Sequence, residues 1–133
     1  MNAFFGRSDN SAATASGRSW AFSGAYVQFL KTSHVRQPSM TYLTLDEHPD
    51  SINDAFFITD PAANNWQDVP ASYHNGACGF SFADGHAEIK KWLSRSSKIP
   101  VTYGSPQVRP FDAAGKADIQ WYRDRIQMIP YGR

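Results

Sequence analysis

The sequence predicts an α+β fold, in which an antiparallel sheet of about four strands in hairpin or meander order carries one or two short helices and long loops. Three observations lead there. Asp84-Gly85 separates two alternating stretches, GFSFA and HAEIK, and Asp-Gly is a preferred pair for a tight hairpin turn. Nine Phe, six Tyr and four Trp against few Leu and Val describe a core built from rings, which suits a sheet better than a helical bundle. Eight Pro and nine Gly punctuate the chain into short elements.

At 133 residues the chain is expected to form a single domain, 1–133. Its net charge of +1, with both signs interspersed, gives no electrostatic case for nucleic acid or an anionic membrane surface as partner. No run of about 18 apolar residues is present, so no membrane insertion is expected. MNAFFGRSDN is no secretory signal, since no basic segment leads into an apolar one, and a soluble chain is the expectation. The single Cys78 excludes an internal disulfide, and its place on the core side of the hairpin predicts a buried, inert thiol.

In chain order, residues 1–19 read as a loop or mobile lead-in, because RSDNSAATASGRS has no apolar period. Residues 20–30 carry Phe22, Tyr26, Phe29 and Leu30 at a spacing compatible with a short helix, which Pro38 separates from the next element. MTYLTL alternates as a strand, with Leu43 and Leu45 on one side and Tyr42 and Thr44 on the other. A second strand is expected over 55–59, where Phe56, Phe57 and Ile58 supply β-propensity. Residues 61–70 form a surface loop whose Trp66 folds back onto the body.

The hairpin follows. A two-residue Asp84-Gly85 loop pairs Phe82 with Ala87, Ser81 with Glu88 and Phe80 with Ile89. Phe80, Phe82, Ala87 and Ile89 would then face the core, leaving His86, Glu88, Lys90 and Trp92 on a wet or functional face. Residues 94–133 read as an irregular tail docking on the sheet, except over 112–125. There Asp112 serves as N-cap and Ile119, Tyr122 and Ile126 form one stripe of a helix.

Two groups of side chains suggest chemistry. Asp46, Glu47, His48, Asp50 and Asp54 crowd one loop, and calcium, which takes six to eight oxygen ligands in irregular geometry, is the cation they suit. The alternative is a solvated acidic loop, and the spacing is not that of an EF-hand. His74, Asp84 and His86 are the candidate catalytic residues of a small hydrolase that activates water with a metal or a His/Asp pair and acts on an ester or lactone. Against that reading, Asp84 serves the turn, His86 is a polar strand residue and His74 is a structural hydrogen-bonding group. No nucleophile elbow accompanies them. Trp66, Tyr73, Trp92, Tyr103 and Trp121 are either an aromatic platform for a sugar or ordinary core and loop-pinning rings.

His74, nine further residues, and Asp84-Gly85 within FADGHAE resemble the H-X9-DG domain of prepilin-type, pseudopilin-like proteins. RQPSMTYLTLDEHPDSIND is similar to that family's Pro-Ser strand and Asp-Glu loop, and WQDVPASYHNGACGFSFADGHAEIKKW to its C-terminal block. The resemblance covers most of residues 36–92. It implies a pseudopilin-like globular domain with a structural or protein-interaction role in a secretion or pilus-type system of the cell envelope. The implied partners are other pilin-like subunits, or a second copy through an exposed sheet face. Calcium binding in a loop of the sheet follows by analogy with the major pseudopilins of type II secretion. Full-length members carry a prepilin cleavage site and a long apolar helix; this sequence shows neither, so Met1 is expected to be an internal methionine used as a start.

Overall fold

The computed structural model describes residues 1–6, 15–60 and 62–132. Of the expected lead-in, residues 7–14 lie outside the described residues. Among the described residues, three strands, β1 (Tyr42–Leu45), β2 (Ala77–Phe82) and β3 (Ala87–Lys91), form one antiparallel sheet in the order β1-β2-β3, and a helix of fourteen residues, α1 (Ala113–Ile126), completes an α+β fold.

The hairpin departs from expectation in register. Phe82 N donates to His86 O at 2.9 Å and Gly85 N to Phe82 O at 3.0 Å, so the loop holds three residues, Ala83, Asp84 and Gly85. Gly85 takes the left-handed position at φ +94°, which closes a three-residue hairpin as a turn followed by an αL residue. Gly79 therefore faces Ile89 and Phe80 faces Glu88. A one-residue shift moves a strand's side chains to the opposite face. Ile89, expected in the core, is 80% exposed, while His86, Glu88 and Lys90 join Phe82, Phe80 and Cys78 on the side that covers the core.

β1 is similarly corrected. The pairing shifts between Tyr42 and Thr44, so that Tyr42 meets Phe82 and Leu45 meets Phe80, with Leu43 as the extra residue. A bulge of this kind lets one strand put two side chains on a face that strict alternation would separate. Tyr42 is fully buried, whereas Thr44 sits on the open face with its hydroxyl 2.6 Å from that of Ser81.

The fourth strand expected over 55–59 is absent among the described residues, although Phe57 and Thr59 are buried there. Its backbone donors are taken by other partners. Phe56 N donates to Asp54 at 2.6 Å, Phe57 N to Met1 O at 2.6 Å, Ile58 N to Asp68 at 2.6 Å and Thr59 N to the Tyr122 hydroxyl at 3.3 Å. Residues 20–30 are likewise no α-helix. A single 3-10 turn, Phe22–Gly24, precedes an extended run whose donors go to three separate segments: Val27 N to Ile129 O, Gln28 N to Gly17 O and Phe29 N to Phe4 O.

The start of the chain is built into the body. Asn2, Ala3 and Phe4 are fully buried, and Asn2 closes the outer edge of β1 by donating its N–H to Leu43 O at 2.8 Å and its amide to Tyr42 O at 2.9 Å. The opposite edge, β3, has no such cover among the described residues.

α1 follows the sequence closely. Asp112 accepts from Gly115 N at 2.7 Å, satisfying one of the orphan donors of the first turn, and Ile119, Tyr122 and Ile126 are each 1% exposed. Gly115 is required by close approach, because a Cβ there would meet Ser96 Oγ at 2.5 Å. The helix lays this stripe against a core of rings. Trp66 meets Phe57, Trp92, Phe111 and Tyr122 edge to face at 5.5–6.4 Å between centroids. Such pairs add about 0.5–1.5 kcal/mol each beyond area burial.

Candidate functional site

The hairpin separates the two histidines expected to act together. β2 runs the six residues between them, and at about 3.3 Å per residue it holds the segment before it and the turn after it on the order of 20 Å apart. His74 lies at the first end, next to Asp46 across an exposed 3.7 Å gap. Asp84 and His86 lie at the turn. The nine residues of the sequence motif thus span the strand from one end to the other.

At the turn, His86 Nδ1 is 2.5 Å from Asp84 Oδ1 and Nε2 is 3.2 Å from Glu88 Oε1. The same Asp84 oxygen also accepts from His86 N at 3.2 Å. The imidazole lies flat on Phe82, with centroids 4.3 Å apart and planes 11° from parallel. The Asp84 hydrogen bond, then that to Glu88, raises the His86 pKa above its ordinary value, and the His86 partner in turn lowers that of Asp84. With a carboxylate against each nitrogen, the ring is held from both sides. The arrangement locks a turn and lids a ring.

At the other end, Asp46 is the hub of the β1 to β2 connection. Its N–H donates to Gly79 O at 3.3 Å, its carbonyl accepts from Ala71 N at 2.8 Å and from the Cys78 thiol at 3.2 Å, and its carboxylate accepts from Gly79 N at 3.3 Å. A Cβ at Gly79 would come within 3.1 Å of that carboxylate, which would have to shift by a few tenths of an ångström. Cys78 is fully buried, and burial pushes its thiol up to about 12, so the expected inert cysteine is what the surroundings enforce.

The five residues proposed as a calcium set take five separate posts. Asp46 serves Gly79, and Glu47 accepts from the Ser51 hydroxyl at 2.7 Å. His48 is fully buried, with Nε2 3.2 Å from Ile99 O and Nδ1 3.2 Å from Asp50 N, so both ring nitrogens are occupied. Asp50 accepts from Thr102 N, the Thr102 hydroxyl and Tyr103 N at 2.7, 2.9 and 2.8 Å, and these bonds, led by Thr102 N, lower its pKa. Asp54 caps Phe56 N. Among the described residues, no three His, Cys, Asp or Glu side chains gather as metal ligands. The donor set as folded does not fit one shared cation: its oxygens fix loops, and Asp50 in particular ties the chain near 102 to the loop after β1.

Asp118 was not singled out by sequence. It sits on the buried stripe of α1, fully shielded, and accepts from Leu93 N and Ser94 N at 3.0 Å each while Lys90 Nζ lies 3.5 Å away. An acid one position before Ile119 on an apolar stripe was the available signal. Lys90 itself spans the rings of Trp92 and Trp121 at 5.6 and 5.5 Å. The rings considered as a sugar platform divide: Trp66 and Trp92 are core, and Tyr73 and Tyr103 are exposed.

No family model, no curated protein and no solved structure matches this chain.

Proposed function

We propose that this chain is a structural, protein-interaction domain of the pseudopilin-like type, working through its surface and turning over no substrate. The observation that carries the reading is the fate of His86. The most reactive-looking side chain of the hairpin is held between Asp84 and Glu88 and stacked on Phe82, a geometry that fixes the ring within the turn. His74 and Asp46 sit exposed at the far end, and among the described residues no further His, Cys, Asp or Glu gathers with them as a metal ligand. The sheet supplies a surface instead: Thr44, Gly79, Ser81, Ala87 and Ile89 line a shallow, open depression on the face away from the helix. No helix among the described residues is long and apolar enough to cross a membrane. In the proposed role, other pilin-like subunits or a second copy of the chain are the partners.

The test is an assay of the purified chain on activated esters and lactones, with EDTA and with added calcium. The reading requires the same background hydrolysis in both conditions. Chelator-sensitive turnover that calcium restores and His74→Ala or Asp84→Ala removes would establish the alternative, a metal-dependent hydrolase.

A further inference from the structure

The open edge of β3 offers a specific partner site. Within the hairpin, His86 and Trp92 bond inward to Phe82 and Gly76, and hydrogen-bonded pairs alternate along an antiparallel ladder. Glu88 and Lys90 therefore also bond inward, and the backbone groups of Ala87, Ile89 and Lys91 point away from the sheet. Among the described residues nothing outside the sheet hydrogen-bonds to those three. Their side chains are exposed, Ile89 at 80%. An unpaired row of this kind is a template for another strand.

We infer that β3 pairs with β3 of a second copy, antiparallel and centred on Ile89, joining two three-stranded sheets into one. Register and charge select this pairing. A two-fold pair must place outward-pointing residues opposite one another, which for AEIKK leaves three registers with appreciable overlap. Centring on Glu88 sets Glu88 against Glu88 of the other copy, and centring on Lys90 sets lysine against lysine. Like charges directly opposite are destabilising. Centring on Ile89 alone sets Glu88 against Lys90 and Lys90 against Glu88, stacks Ile89 on Ile89, and matches all five residues with Ala87 opposite Lys91. The fullest overlap thus coincides with the one register in which Glu88 and Lys90, already held by His86 and Asp118, do not face their own kind. The inference rests on the reading of the chain as an interaction domain and supplies its partner.

Two cysteine variants read the register. Ile89→Cys places two thiols in a directly opposed pair with Cα atoms about 5.5 Å apart, within disulfide reach. Lys91→Cys places them roughly 14 Å apart along the strands. Under mild oxidation the first is expected to give a covalent dimer on a non-reducing gel and the second is not; Cys78, being buried, leaves wild type uncrosslinked. In parallel, sedimentation equilibrium should show a wild-type dimer that Ile89→Pro converts to monomer with an unchanged circular dichroism spectrum, since proline is tolerated where an edge N–H faces outward. Equal crosslinking of both cysteine variants, or a wild-type monomer at every concentration, overturns the inference. A monomer without turnover overturns the pairing alone, whereas turnover in the assay above overturns the functional reading.

Discussion

Phe82 and His86 stack face to face, 4.3 Å between ring centroids, because the Asp84-Gly85 turn contains three residues and not two. From that relationship follows the character of the whole hairpin. His86, Glu88 and Lys90 lie over the aromatic core, and their charges are paired at its rim.

His86 gives a pH signature. Its pKa is raised in the folded chain by Asp84 first and Glu88 second, so its contribution to stability is complete below the ordinary 6.5 and is lost as pH rises through the folded value above it. Asp84 is lowered from 3.8, so its share is present above that value and lost as pH falls. Thermal midpoints of wild type and His86→Gln should converge as pH climbs from about 6 to 9. A wild type that gains on the variant over that range contradicts the pairing.

Gly85 tests the turn. A Cβ there meets nothing within 4 Å, so Gly85→Ala is purely a backbone perturbation at φ +94°. The expected loss is about 1 kcal/mol by urea denaturation, with Gly85→Asn closer to wild type. An unchanged midpoint for the alanine variant would mean the left-handed residue is not needed.

Asp118 is the buried acid whose loss should be felt most. Asp118→Ala strands the N–H groups of Leu93 and Ser94 and leaves Lys90, only 14% exposed, without its carboxylate. Removing one partner of such a pair costs about 3 kcal/mol. Chemical denaturation reads this directly, and a loss below about 1 kcal/mol would place Asp118 in the ordinary surface class.

Cys78 should be silent until the fold opens. With its thiol at about 12 and fully buried, labelling by Ellman's reagent at neutral pH is expected only in denaturant. Prompt labelling of the native chain would show a different environment.

Local signals were the readable ones. The helix was legible because its evidence is local: Asp112 caps Gly115, and Ile119, Tyr122 and Ile126 recur at helical spacing. The strand expected over 55–59 failed because its donors find Asp54, Met1, Asp68 and the Tyr122 hydroxyl, partners that no local pattern announces. The register failed for a finer reason. Asp-Gly suits both two- and three-residue loops, and the two differ by one position, which exchanges the faces of β3. The candidate site inherited that error, since His86 and Glu88 read as free only while Phe80 and Phe82 were assigned to the opposite face. The crowding of acids over 46–54 was legible; the engagement of each in a separate turn was not.

The position of His86 over the core depends on the hairpin register, which backbone NMR measures. Non-hydrogen-bonded antiparallel pairs bring Cα atoms to about 4.5 Å, giving strong contacts between α protons. The structure requires those contacts between Gly79 and Ile89 and between Ser81 and Ala87. Contacts between Phe80 and Ile89 and between Phe82 and Ala87 in their place would return His86 and Glu88 to an open face and contradict the structural role assigned to them.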